Sequence, residues 1–238
     1  MCGRYSLTHI AEEIGRRFGV EAPAQHSARY NVAPTETMPV VRAGDEGSEA
    51  RRECVTMRWG LIPFWADDEK IGNRMINARS ETADQKPSFR AAFRRRRCLV
   101  PADGFYEWVS REGKKWPIRI TFGDGELGAF AGLWERWSGE DDRVVESYTI
   151  LTAPAAAQLE SIHDRMPLWA PEQCWDEWLF DDEEARGVME SMIEEFPADR
   201  VRYYPVSRQL NRPGRESPQM IEPVDEGGLP RRGGEFSV

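Results

Sequence analysis

Gly128-Ala129-Phe130-Ala131-Gly132-Leu133-Trp134 and Val145-Glu146-Ser147-Tyr148-Thr149-Ile150-Leu151-Thr152-Ala153 carry aromatic and β-branched residues and stand on either side of a polar break. Runs of this length and composition, bounded by Gly, Asp and Pro, read as strands. Five more β-prone segments are spaced along the chain, at about 38–42, 53–60, 97–101, 117–122 and 201–206, again separated by Gly, Pro and Asp. Together they predict an antiparallel or mixed sheet curled on itself. Helices are expected around it. Thr8 is a candidate cap for a short one in which Ile10, Ile14 and Phe18 recur every fourth residue and Gly19 is the stop. Others are expected at about 87–95, 154–161, 171–180 and 183–195, with Pro154 and Pro171 suited to first turns. No period of 20 to 50 residues repeats, which argues against solenoids and propellers.

At 238 residues the chain can bury a substantial core as one domain. The expected domain spans 1–223; the tail 224–238, rich in Gly with scattered charge, lacks a buried pattern and is expected to be disordered. There is no apolar run long enough to span a bilayer and no signal-peptide core, so a cytoplasmic location is expected, with no membrane partner. Cys2, Cys54, Cys98 and Cys174 form no C-x-x-C pair, and His9, His26 and His163 do not fall near them. This scatter argues against a zinc site or a disulfide framework, and neither metal nor cofactor is expected. A net charge of −9 argues against holding nucleic acid by bulk electrostatics, although local binding stays open. The positive charge is nearly all arginine, with Lys70, Lys86, Lys114 and Lys115 as the only lysines.

The chain begins Met1-Cys2-Gly3-Arg4-Tyr5. Loss of Met1 would leave Cys2 with its amine and thiol on adjacent carbons, a 1,2-aminothiol. Such a group takes up an aldehyde first as a Schiff base through the amine and then as a five-membered thiazolidine through the thiol. The neighbouring ammonium is expected to favour the thiolate. Read by itself, Cys2 is equally an ordinary small residue beside the start codon.

Five further stretches are weak one at a time. Arg29-Tyr30-Asn31-Val32-Ala33-Pro34 reads as an extended segment ending at a proline turn. Trp59-Gly60-Leu61-Ile62-Pro63-Phe64-Trp65 serves either as core or as a platform for stacked bases. Asn77-Ala78-Arg79 puts an amide and a guanidinium on one side if the segment is extended. Pro101-Ala102-Asp103-Gly104-Phe105-Tyr106-Glu107-Trp108 sets Glu107 among aromatic residues, where burial would raise its pKa toward neutrality. Ile162-His163-Asp164-Arg165-Met166-Pro167 supplies an imidazole beside an arginine.

Taken in order and spacing, these motifs and the M-C-G-R-Y start resemble the SRAP (SOS response-associated peptidase) family of abasic-site processing proteins, over Met1 to about Pro223. The resemblance implies a single α+β domain with a curled, mostly antiparallel β core, peripheral short helices and a cleft for single-stranded DNA. It also implies covalent capture of abasic sites in that DNA by a thiazolidine on the mature N-terminal Cys2. Carried over by motif, Asn77 would orient the cysteine or the opened sugar, Glu107 would shuttle protons, and His163 would assist transfer and reversal. Arg4, Arg79 and Arg165 would clamp phosphates, Phe64 and Trp65 would wedge flanking bases apart, and Asn31 would join the DNA contacts of a monomeric protein. Ala66 and Met166 stand where some relatives carry a second aromatic and a second arginine. Two other activities compete with this reading. One is a thiol peptidase using Cys2, and the other is a noncatalytic single-strand binder using the arginines and Trp65.

Overall fold

The computed structural model describes residues 2–44, 51–139 and 143–224. Among the described residues, twelve strands and four α-helices alternate with short 3-10 turns. In chain order they are β1 (Tyr5–Leu7), α1 (Ala11–Phe18), β2 (Arg29–Val32), β3 (Thr37–Ala43), β4 (Arg52–Trp59), β5 (Asn77–Arg79), α2 (Arg90–Arg95) and β6 (Arg97–Ala102), followed by β7 (Gly104–Arg111), β8 (Lys114–Phe122), β9 (Gly128–Ser138), β10 (Val144–Pro154), β11 (Arg165–Pro167), α3 (Trp175–Phe180), α4 (Ala185–Glu194) and β12 (Val201–Pro205).

One sheet is antiparallel throughout, in the order β12-β8-β7-β1-β2. The other closes on itself, because β9 pairs with both β6 and β10 while β10 pairs with β4, β4 with β3 and β3 with β6. Closure removes the unpaired edges that an open sheet would expose. β10 makes the parallel pairings, with β4 and with the short β5. The chain is therefore a single α+β domain with a curled, mostly antiparallel core and few short helices.

Tyr5 and Phe105 of the first sheet meet Phe130 of the second edge to face, with ring centroids 6.4 and 6.1 Å apart. The Tyr5 hydroxyl lies 2.7 Å from that of Tyr148 on β10, joining the sheets by a buried hydrogen bond. The outer face of the first sheet is covered by the chain after β12, where Val206, Leu210 and Met220 pack on Tyr106. The N-terminal strand lies inside the first sheet, between β7 and β2, and the residues before it arrive at the seam with the second.

The helices differ in detail from the sequence reading. α1 buries Ile14 and Phe18 and ends at Gly19, whose φ of 66° is the left-handed cap expected of glycine. Its N-cap, however, is Ile10, because the N–H and hydroxyl of Thr8 are drawn instead to the carboxylate of Asp103. The expected helix at 154–161 is reduced to a 3-10 turn at Ala157–Leu159, since Pro154 pairs with Arg165 as the last residue of β10. In place of 171–180 there is a 3-10 turn at Glu172–Cys174 leading into α3. At 87–95 the α-helix occupies only the last turn and a half, as α2. Residues 225–238, most of the expected disordered tail, lie outside the described residues. Among the described residues no helix is long and apolar enough to cross a membrane.

Candidate functional site

Cys2 is fully buried at the seam of the sheets, immediately ahead of β1. Two strands hold its backbone in place. From β5, the Asn77 side-chain nitrogen donates to the Cys2 carbonyl at 2.8 Å. From β7, the Tyr106 N–H donates to the Arg4 carbonyl at 3.0 Å, the same oxygen that accepts from the Cys2 thiol at 3.4 Å. Burial pushes the thiol pKa well up, with Glu107 adding to the rise, and this outweighs the lowering effect of the positive amino terminus. With Met1 attached, burial thus holds the Cys2 group as a thiol, and making the thiolate needs a base.

Glu107, one residue along β7 from Tyr106, is 5% exposed. Burial pushes its carboxyl up to about 7, against the lowering influence of the positive amino terminus. A carboxyl group poised there can give or take a proton near neutral pH. Asn77 keeps a buried side-chain oxygen with no hydrogen-bond partner among the described residues. Buried amide oxygens are normally satisfied, so this one stands ready to accept from a ligand group. His163 lies in the turn before β11 and is partly exposed. Its Nδ1 lies 2.9 Å from the Arg165 backbone nitrogen and 2.9 Å from a carboxylate oxygen of Asp164. Burial, followed by the positive amino terminus, lowers its pKa, keeping it neutral at physiological pH.

The expected DNA contacts divide into two groups. Arg79 is exposed, on the same face of β5 as Asn77 and opposite the buried Ala78, and its guanidinium has no ion-pair partner among the described residues. Phe64 and Trp65 are 56% and 47% exposed, among the few large apolar side chains in the open. Their loop is fixed by Gly60, at a φ of 117°, which packs so closely on Gly72 that a Cβ on either would come within 2.5 Å of the other's carbonyl oxygen. The W-G-L-I-P-F-W stretch is therefore both core and platform. Trp59, Leu61 and Ile62 are buried, and the last two aromatics project.

Arg165 and Asn31 lie at buried positions. Arg165 is 8% exposed, its fork occupied by both oxygens of Glu81 and by the Thr152 carbonyl. Asn31 is fully buried, accepting from Arg4 and donating to the carbonyls of Leu210, Arg212 and Arg215. Most of their hydrogen-bonding groups are engaged by the protein, with Arg165 Nε left without a partner among the described residues. Arg4, half-buried, donates to Asn31 at 2.7 Å and to the Leu210 carbonyl at 3.1 Å. Ala66 and Met166 both fall at buried positions.

Sequence reasoning missed the buried cluster that anchors this arrangement. Asp103, fully buried, accepts from Ser6 and Thr8 beside β1, lies 3.4 Å from His9 Nδ1, and pairs with Arg119 of β8 at 2.9 Å. It fixes β1 against β7 and β8. Its only sequence signal was a carboxylate inside an otherwise aromatic motif.

The order of motifs and this geometry agree with a family model described as SOS response associated peptidase (SRAP), which matches residues 1–213. The chain belongs to the SRAP family. Among SRAP relatives, a Bacillus subtilis protein named abasic site processing protein YoqW is 38% identical over 226 residues, covering 93% of this chain and 99% of its own. The mouse abasic site processing protein HMCES is 28% identical, covering 94% of this chain and 76% of its own. A crystal structure of a Bacteroides thetaiotaomicron protein superposes with a TM-score of 0.83 over 94% of this chain and all of its own, at 24% identity, and so speaks to the SRAP fold alone. A Bordetella bronchiseptica structure at 30% identity gives 0.71, over 87% of this chain and all of its own.

Proposed function

We propose that the mature chain, beginning at Cys2, captures the ring-opened aldehyde of an abasic site in single-stranded DNA as a thiazolidine. The observation that carries this reading is the convergence on Cys2 of Asn77, which holds its carbonyl, and Glu107, whose charge raises the pKa of its thiol.

Hydrolytic removal of Met1 frees the Cys2 amine. The closed sugar is opened when Glu107 takes the proton of the anomeric hydroxyl and one is returned to the ring oxygen. The amine adds to the aldehyde carbon and the carbinolamine loses water, giving the Schiff base. The thiol then adds to the imine carbon, its proton passing to the nitrogen with Glu107 as carrier, so the sequence releases one water in all. A buried thiol with a raised pKa suits this order, because the amine acts first and the sulfur closes the ring only when a base is at hand. The free Asn77 oxygen receives a hydroxyl of the opened sugar. His163, neutral at rest, serves the same transfers and the reverse reaction.

Arg79 and Arg4 hold phosphates beside the lesion, and Phe64 and Trp65 stack on neighbouring bases, contacts indifferent to base identity. Arg165 and Asn31 act as positioning residues, the first through the turn that bears His163 and the second through Arg4. Peptidase chemistry on this reading is confined to the loss of Met1.

The test is a denaturing gel of the protein mixed with an abasic single-stranded oligonucleotide. A heat-stable adduct with wild type, absent with Cys2→Ala and with undamaged DNA, supports the reading. An equally heat-stable adduct with Cys2→Ser contradicts the thiazolidine.

A further inference from the structure

We propose that Lys114, Lys115, Arg212 and Arg215 form a phosphate track that carries single-stranded DNA away from the abasic site on one side, with Trp108 and Arg208 along its length. The inference rests on the reading of Cys2 as the capture residue, and extends it to the strand beyond the lesion.

The track is physically continuous with the site. The Arg4 guanidinium, two residues from Cys2, bonds the Leu210 carbonyl and lies 6.0 Å from the Trp108 ring. Asn31, which accepts from Arg4, donates to the carbonyls of Arg212 and Arg215 at 3.1 and 3.2 Å. The Trp108 indole donates to Asn211 at 2.7 Å, and Asn211 in turn donates to the Lys115 carbonyl at 3.2 Å. The loop at 208–215 is thereby laid against the β7–β8 hairpin, and Arg208 sits 5.2 Å over the Trp116 ring.

The chain carries 41 acidic and 32 basic residues, and several of its arginines are paired, Arg17 with Glu172, Arg29 with Glu36 and Glu216, Arg52 with Asp176 and Arg186 with Asp84, while others such as Arg79, Arg90 and Arg94 are exposed without an ion pair among the described residues. Lys114, Lys115, Arg212 and Arg215 are all exposed, and among the described residues no carboxylate pairs with any of them. The acid next to Arg215, Glu216, is already taken by Arg29 and the Tyr30 N–H. Glu112 stands at the hairpin tip itself. Unpaired cations interleaved with indole rings are the surface chemistry that follows a flexible phosphate backbone and accepts any base.

The test uses oligonucleotides carrying a tetrahydrofuran abasic analogue, which has no aldehyde and binds without crosslinking. A short one, of about four nucleotides, is compared with versions extended by about ten on either side of the lesion. Wild type should gain affinity from extension on one side more than on the other. In K114Q/K115Q/R212Q/R215Q that one-sided gain should disappear, while the short ligand binds as before and Tm is unchanged. The slope of log K against log salt should fall by up to about 2.8, at ~0.7 per lost contact on a single strand. A variant that keeps the wild-type slope and one-sided gain overturns the track. So does an equal loss in K86Q/R90Q/R94Q, which removes exposed cations on and beside α2 and would show that only net charge mattered. Crosslinking of the short aldehyde-bearing oligonucleotide is read separately. Its absence in wild type contradicts capture by Cys2, while the salt slopes still decide the track.

Discussion

Asn77 donates its side-chain N–H to the carbonyl oxygen of Cys2 across 2.8 Å, tying the residue ahead of β1 to a strand of the opposite sheet. This bond fixes where the Cys2 backbone sits while leaving its amine and thiol for chemistry. Asn77→Ala removes both the anchor and the unpartnered oxygen beside it. Single-turnover capture should fall by about 10²-fold, the scale of an ångström-sized misplacement, with little change in DNA affinity. Quenched-flow crosslinking with trace labelled DNA reads the rate, and an unaltered rate would remove Asn77 from the site.

Glu107→Gln keeps shape and loses the titrating group, so capture should slow by about 10²–10⁴-fold. As a base Glu107 must be ionised, and wild-type rates should therefore rise through about pH 7 while the glutamine variant stays flat there. Stability gives an independent check. The folded-state pKa is raised, so the favourable contribution of the protonated group is complete below its ordinary value of 4.5 and is lost as pH rises through about 7. Wild type should lose stability relative to Glu107→Gln across that window in paired urea melts, and parallel curves would show that the carboxyl titrates normally.

The two arginines read alike in the sequence should separate on mutation. Arg79→Ala should leave Tm unchanged and flatten the salt dependence of single-strand binding by ~0.7. Arg165→Ala leaves Glu81 and the Thr152 carbonyl without their donor and should cost about 2 kcal/mol of stability, with weaker effects on the salt slope. Melting curves with binding titrations decide it: equal Tm losses would make Arg79 structural as well.

How far the sequence reaches is visible in these same residues. The long strands and the amphipathic α1 announce themselves by composition and period. The three-residue strands β1, β5 and β11 have no period to read, and tertiary pairing alone makes them strands. Cys2, Asn77, Glu107 and His163 were legible as members of ordered motifs. The burial of the Cys2 thiol, which raises its pKa, depends on the seam between two sheets and has no local signature. Arg165 and Arg79 could not be told apart, because the ion pair with Glu81 spans residues far apart in the chain.

Asp103 should prove to be the main support of the N-terminal arm. Burial opposes its ionisation, but His9, Arg119, Ser6 and Thr8 together hold its carboxyl below the usual range. Asp103→Ala strands the buried Arg119 guanidinium and should cost about 3–5 kcal/mol. Because the folded pKa is depressed, this contribution is present above the ordinary aspartate pKa and is lost as pH falls through the folded one. Wild type should therefore lose its advantage over Asp103→Asn only in strong acid, and an advantage that vanishes near pH 6 would contradict the pairing.

The central claim, that a free amine and thiol on Cys2 together capture an abasic aldehyde, is tested most directly by intact mass spectrometry before and after mixing with abasic single-stranded DNA. The account predicts a protein lacking Met1, and an adduct equal to that protein plus the DNA minus one water. An adduct on a chain that retains Met1, or no adduct on a chain that has lost it, would contradict the account.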